Sequence, residues 1–333
     1  MMSRTEISEL VQSVVEAYLL DGERRYNRAE VAERSGVSPG ISRRLWTALG
    51  FPENPEDAID YTDADVDAVQ HFRGLKVVAA SDLRQQAAAA RTLGQSMARL
   101  AEWQADLVIA EIATKVAEDS RADGADAAEI ARIATEETIS VLEELQTYAW
   151  RRHLAAALAR SFDNESPAGD STRELAVGFA DMVGYTRLTR HLHPDELSTL
   201  LEAFESTTNA AITENGGWVI KHVGDEVMFA AETAQAGARI ALAIQESTMM
   251  VGGTPDLRVA LAYGPVLQRF GDLYGSVVNI ASRLTGVARP GTILIDDAAA
   301  EKLADDREFS VRQLRSVRVR GFNRLRPHAL RHG

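Results

Sequence analysis

The chain has 333 residues, 45% apolar and 26% charged, a profile of a soluble globular protein whose length suggests two domains. It has no cysteine, which excludes disulfides and thiolate metal sites, and no run near the roughly 20 apolar residues of a membrane helix. Its net charge of −13 divides into −11 over residues 1–165 and −2 over the rest. The acidic front half points away from nonspecific nucleic-acid binding, while the near-neutral back half suits a polyanionic small molecule held by local cations. The opening "MMSRTEISELVQSVVEAYLL" carries acids through its apolar stretch and matches neither a signal nor a transit peptide. The expected location is cytoplasmic.

Residues 1–160 consist of helix formers almost throughout, with prolines only at 39, 52 and 55. Within them, residues 28–73 read as helix, glycine turn, second helix and a third helix opening at "YTDADVDAV". This stretch resembles the winged helix-turn-helix opening of MerR-type regulators. It carries nine acids against five bases, so it is read as a packing unit, with Arg43 and Arg44 the bases that would serve DNA. Two longer helices follow. Leu93, Met97, Leu100 and Trp103 fall at helical spacing in one, and Val141, Leu145, Tyr148 and Leu154 in the other. "SFDNESPAGDST", residues 161–172, has the polar, Pro/Gly-containing composition of a linker.

Beyond the linker, the pattern predicts β-α-β-β-α-β. A strand in "ELAVGFADM" precedes a helix closing on Asn-Gly-Gly, and "WVIKHVGDEVMFAA" forms two strands around a Gly-Asp turn. A second helix and the strand "LRVALAYGPV" complete the series. The fold class is α+β, a ferredoxin-like split βαβ with helices on one face of an antiparallel sheet. Asp181 ends the first strand, and a carboxylate beside a Gly-containing loop suits Mg²⁺, which takes few protein oxygens. Backbone N–H groups of Val183, Gly184, Tyr185 and Thr186 are placed to face a phosphate. Asp225 lies 44 residues on, at the tip of the hairpin whose second strand should neighbour the first, so the two acids can converge. Glu226 reads as the next hairpin residue. Further on, Asn279 and Arg283 share one face of a helix beginning near Ser276, with Asp272 near its entry. Taken alone, Arg283 and Asp272 read as a surface salt bridge.

Together these blocks resemble the class III nucleotidyl cyclases over about residues 173–333. The carriers are "FADMVGYT", "KHVGDEVMF" and "GDLYGSVVNIASR", in that order. The resemblance implies that Asp181 and Asp225, with a carbonyl near Met182, hold two Mg²⁺ or Mn²⁺ ions per site. It also implies in-line attack of the ribose 3′-hydroxyl on the α-phosphate, with Arg283 stabilising the developing charge and Asn279 orienting the ribose. Arg320, in "VRVRGF", would contact the terminal phosphate. Lys221 and Asp272 would read the base. A lysine and an aspartate complement the N1 acceptor and 6-amino donor of adenine, which indicates ATP. Guanine would favour an acceptor at position 221 and is the alternative, beside a catalytically weak signalling scaffold. In this family the metal and base-reading residues come from different subunits, so a homodimer with two composite sites is implied.

"VGDEV" is faintly similar to the GG(D/E)EF signature of diguanylate cyclases. Val223 replaces its first glycine, Val227 stands where phenylalanine would, and the "NIASR" helix has no counterpart there. His191, His193 and His222 match no metal motif and are read as bystanders. The whole chain resembles actinobacterial soluble cyclases with a helical, autoinhibitory and pH-responsive N-terminal domain. The expected transmitter is the helix around residues 137–160, with His153 as the pH switch to test.

Overall fold

The computed structural model describes residues 18–74, 82–119, 127–162, 172–250, 255–319 and 321–333. The chain forms two compact units, residues 1–165 and 166–333. Most of the expected linker, residues 163–171, lies outside the described residues.

The first unit is helical where described: α1 (Arg28–Ser35), α2 (Pro39–Leu49), α3 (Asp63–Gly74), α4 (Leu83–Asp119) and α5 (Ala127–Phe162). α1 starts on a capping box. Asn27 Oδ1 accepts from Glu30 N at 3.0 Å, and Glu30 Oε2 accepts from Asn27 N at 2.8 Å. α1, the turn at Gly36 and α2 give the helix-turn-helix order. Arg43 does not stand free on α2: its guanidinium forks onto Glu53 at 3.0 and 2.6 Å. α4 and α5 pack through Val108, Ile112, Val116, Ala131 and Ala134. The periodic residues of the sequence lie mostly off this seam. Leu93, Met97, Trp103, Val141, Leu145, Tyr148 and Leu154 are exposed, so the period marks the helices without marking this unit's core.

The second unit begins with β1 (Thr172–Met182), α6 (Tyr185–Leu188), α7 (Pro194–Glu214), β2 (Trp218–Val223) and β3 (Glu226–Ala231). It continues with α8 (Ala234–Met250), β4 (Leu257–Arg269), β5 (Asp272–Tyr274), α9 (Ser276–Val287), β6 (Thr292–Ile295) and α10 (Asp297–Leu303). β7 (Phe309–Gln313), β8 (Val317–Val319), β9 (Phe322–Leu325) and β10 (His328–His332) close it. The main sheet runs β2-β3-β1-β4-β6-β10-β7, with β5 paired to β4. Its first four strands are the split βαβ core, extended by strands the sequence pattern did not predict. β1 is central, and Leu175–Ala180 are fully or almost fully buried, as a strand covered on both faces must be.

Even-numbered β1 residues Ala176, Ala180 and Met182 share a core with α7, α8 and α10. Odd-numbered Leu175, Val177 and Phe179 pack with Val277 and Ala281 of α9. The two helices of the split βαβ share one face as predicted, but α9 covers the other, burying Val277 and Ala281 against Leu175, Val177 and Phe179. Gly178 permits close layering. A Cβ there would lie 2.1 Å from the Phe229 ring.

Asp296 caps α10 from within the core, accepting from Ala299 N at 2.9 Å and Tyr263 N at 3.2 Å. Burial pushes its carboxyl up to about 6, against the two N–H donors that pull it down. The folded state therefore binds this proton more tightly than the unfolded chain, and stability falls as pH rises from about 4 through about 6. Asp296→Asn keeps the acceptor and removes the buried charge. Its stability relative to wild type should rise by on the order of 2–3 kcal/mol between pH 4 and pH 7, read as a growing difference in melting temperature. A difference that stays constant across that range would contradict this.

Candidate active site

β1 and β3 pair antiparallel, with Asp181 opposite Glu226. Met182 N donates to the Asp225 carbonyl at 3.0 Å, which ties the hairpin tip to the end of β1. The Asp181 and Asp225 carboxyl groups are thereby brought into hydrogen-bonding proximity. Burial, and then the charge of Asp225, pushes the Asp181 carboxyl above its usual range. Two half-buried carboxylates that repel each other at a strand end are an oxygen donor set suited to a hard divalent cation. Among the described residues no cluster of three or more His, Asp or Glu forms a closed metal cage. A two-carboxylate site does not need one, since Mg²⁺ keeps waters and takes phosphate oxygens.

Two further residues belong to this group and were not singled out from sequence. Glu226 shares the α9-bearing face with Asp181 as its cross-strand partner, so it is more than the next hairpin residue. Burial, then Asp181 and Asp225, raises its carboxyl, while Lys221 opposes the rise. Arg258 lies opposite Asp181 on β4, with Nη1 3.8 Å from Asp181 Oδ2. Its Nε is buried without a hydrogen-bond partner among the described residues. Both follow from register: once β1 pairs with β3 and β4, the residues level with Asp181 are fixed.

After β1 the chain turns at Gly184, whose φ of +79° lies in the left-handed region, and enters α6. Val183 N donates to Asp256 O at 2.8 Å, so of the four amides expected to face a phosphate this one is already committed. The base-reading candidates form a pair of their own. Lys221 Nζ lies 2.6 Å from Asp272 Oδ2, joining β2 to β5. Asp272 therefore pairs with Lys221 and not with Arg283, contrary to the surface salt bridge read from that stretch alone. Asp272 Oδ1 accepts its own neighbour's N–H, Leu273 N, at 2.8 Å, which fixes the carboxylate.

Asn279 and Arg283 are exposed on α9, whose Val277, Ala281 and Leu284 are buried beneath them. Among the described residues no ion pair or side-chain hydrogen bond joins either to the carboxylates or to the Lys221–Asp272 pair. Within one chain the site residues thus fall into three groups. Arg320 lies outside the described residues. His222 faces Phe204 on the side of the sheet away from Asp181, consistent with a bystander.

Residues 169–332 match the adenylate and guanylate cyclase catalytic domain. An adenylate cyclase of Streptomyces coelicolor is 39% identical over 294 residues, covering 88% of this chain and 76% of its own. An adenylate cyclase of Glutamicibacter nicotianae is 34% identical over 333 residues, covering 96% of this chain and 82% of its own. These similarities extend well into the helical unit. A pH-sensitive adenylate cyclase of Mycobacterium tuberculosis is 36% identical over 171 residues, covering 48% of this chain and 43% of its own. Among solved structures, the adenylyl cyclase CyaB of P. aeruginosa superposes on 49% of this chain and 95% of its own, with 22% identity and a TM-score of 0.44.

Proposed function

The chain belongs to the adenylate and guanylate cyclase family, and on that premise we propose that it converts ATP to 3′,5′-cyclic AMP and pyrophosphate. The ribose 3′-oxygen forms a bond to the α-phosphorus, the bond from that phosphorus to the β-phosphate oxygen breaks, and the hydroxyl proton passes to solvent. Asp181 and Asp225 hold Mg²⁺ or Mn²⁺, two per site, with the Met182 carbonyl as a further ligand. When bound, such ions neutralise the polyphosphate and acidify the attacking hydroxyl. Gly184, Tyr185 and Thr186 present the amides that face phosphate, and Arg258 adds a cation beside Asp181. Arg283 stabilises charge on the α-phosphoryl oxygens, Asn279 orients the ribose, and Arg320 meets the terminal phosphate.

The observation that carries the choice of adenine is the Lys221–Asp272 pair at 2.6 Å. It offers one donor and one acceptor side by side, the complement of adenine N1 and its 6-amino group. Guanine would leave both groups mismatched, and an unmet polar group costs about 1–3 kcal/mol. Turnover should therefore favour ATP over GTP by at least about tenfold, in Mg²⁺ and in Mn²⁺. Lys221→Glu with Asp272→Asn should erase or reverse that preference. An unchanged ATP preference in the double variant would remove these residues from base reading.

The separation of the site residues into groups that do not touch supports a homodimer with two composite sites. Residues 1–160 form a regulatory domain, joined through 161–172 to the catalytic domain 173–333, and the protein works in the cytoplasm. A helical unit joined to a cyclase unit, a pairing kept over 96% of this chain in an adenylate cyclase of Glutamicibacter nicotianae, motivates the regulatory reading, and His153, exposed on α5, is the residue to test for pH response. A 170–333 fragment with the same specific activity and pH profile as the full chain would end the regulatory reading.

A further inference from the structure

A cleft of about 800 Å³ opens where the end of α8 meets β6, β10, β7 and the approach to β8. Its floor is aliphatic: Leu294 is buried, and Leu314 and Val317 pack with it on the face of the sheet that also carries Arg312 and Arg331. Its mouth is cationic. Arg289, Arg312, Arg315 and Arg331 line it and are exposed, and none of the four is ion-paired to a described carboxylate. The acid among its described lining residues, Glu246, stands on α8 beside His332 Nε2 at 2.5 Å, across the sheet from Arg312 and Arg331. Four like charges around one opening favour an anion, and guanidinium groups suit the planar or tetrahedral oxygens of carboxylate, sulfonate or phosphate.

The volume falls within the usual range of small-molecule sites, about 300–1,000 Å³. Thr292, at one wall, is level with Arg258, which is level with Asp181, across three adjacent strands. The cleft thus flanks the candidate catalytic carboxylates at two strand spacings, roughly 10 Å, yet none of Asp181, Asp225 or Lys221 lines it.

We propose that this cleft binds a small organic anion with an apolar body, separate from the nucleotide that is cyclised. The probe is 8-anilinonaphthalene-1-sulfonate, which has an anionic head, fused rings and an N–H; N-phenyl-1-naphthylamine has the rings and N–H without the charge. The sulfonate should bind the full chain saturably, once per chain, and stay bound under excess non-cyclisable ATP analogue. Arg312→Glu with Arg331→Glu, both on the exposed mouth, should weaken the sulfonate by about tenfold or more and leave the neutral amine unchanged. Leu314→Trp should block both probes by filling the cleft. Circular dichroism melts confirm that each variant folds. Binding confined to the exposed apolar stripe of α4 and α5 would ignore all three substitutions. That result, displacement by the ATP analogue, or no saturable binding would overturn the proposal.

Discussion

Asp225→Asn is expected to lower cyclic AMP formation by about a thousandfold or more while the protein melts no earlier than wild type. The two halves of this expectation have one cause. Asp181 and Asp225 are held together by the β1–β3 pairing and by the Met182 N–H bond, and the Asp181 carboxyl is raised partly by its neighbour's charge. An amide of the same shape removes that repulsion, so folding loses nothing. It also removes a proposed metal ligand, and charge stabilisation by a bound metal is several kcal/mol, each 1.36 kcal/mol being about tenfold in rate. Activity within tenfold of wild type in Mg²⁺ would remove Asp225 from metal binding. Early melting would mean the pair is structural.

Arg283→Ala should lower kcat by about a hundredfold to a thousandfold with little change in KM, the signature of a contact made chiefly in the transition state. α9 is anchored by Val277, Ala281 and Leu284, which are buried, while Arg283 is exposed and has no ion-paired carboxylate among the described residues. The substitution therefore takes away no packing. A rise in KM at constant kcat would instead assign Arg283 to ground-state binding of the phosphates. Arg283→Lys should recover only part of the loss, because an ammonium lacks the planar fork that spans two phosphoryl oxygens.

Much of the fold was legible because the catalytic unit alternates short apolar runs with helical periods, and each strand end carries a glycine or an acid. β1, α7, β2, β3, α8 and β4 appear in the predicted order, with β1 and β3 the inner neighbours of the four-strand core β2-β3-β1-β4. The acids at positions 181 and 225 could be singled out because each stands at a strand end or turn, where a short carboxylate is chemically conspicuous. Glu226 and Arg258 could not be found that way. Their place beside Asp181 is set by register across strands distant in sequence, and a shift of one residue would put either on the opposite face. The position of α9 was hidden for a related reason, since its helical period marks a buried face without saying which side of the sheet that face meets. The helical half shows a different limit. Periodicity identified α4 and α5, but it does not say which face meets which neighbour, and Trp103 and Tyr148 are exposed at 54% and 66%.

In the proposed homodimer, carboxylates from one chain and Arg283 from another complete a single site. Asp181→Ala and Arg283→Ala chains, each nearly inactive alone, should be mixed under conditions that exchange subunits, with heterodimer formation verified by mass. Random pairing gives half heterodimers, each with one intact site, so activity should return to about a quarter of the wild-type value. Verified heterodimers that stay as inactive as either parent would contradict composite sites and return the whole reaction to a single chain.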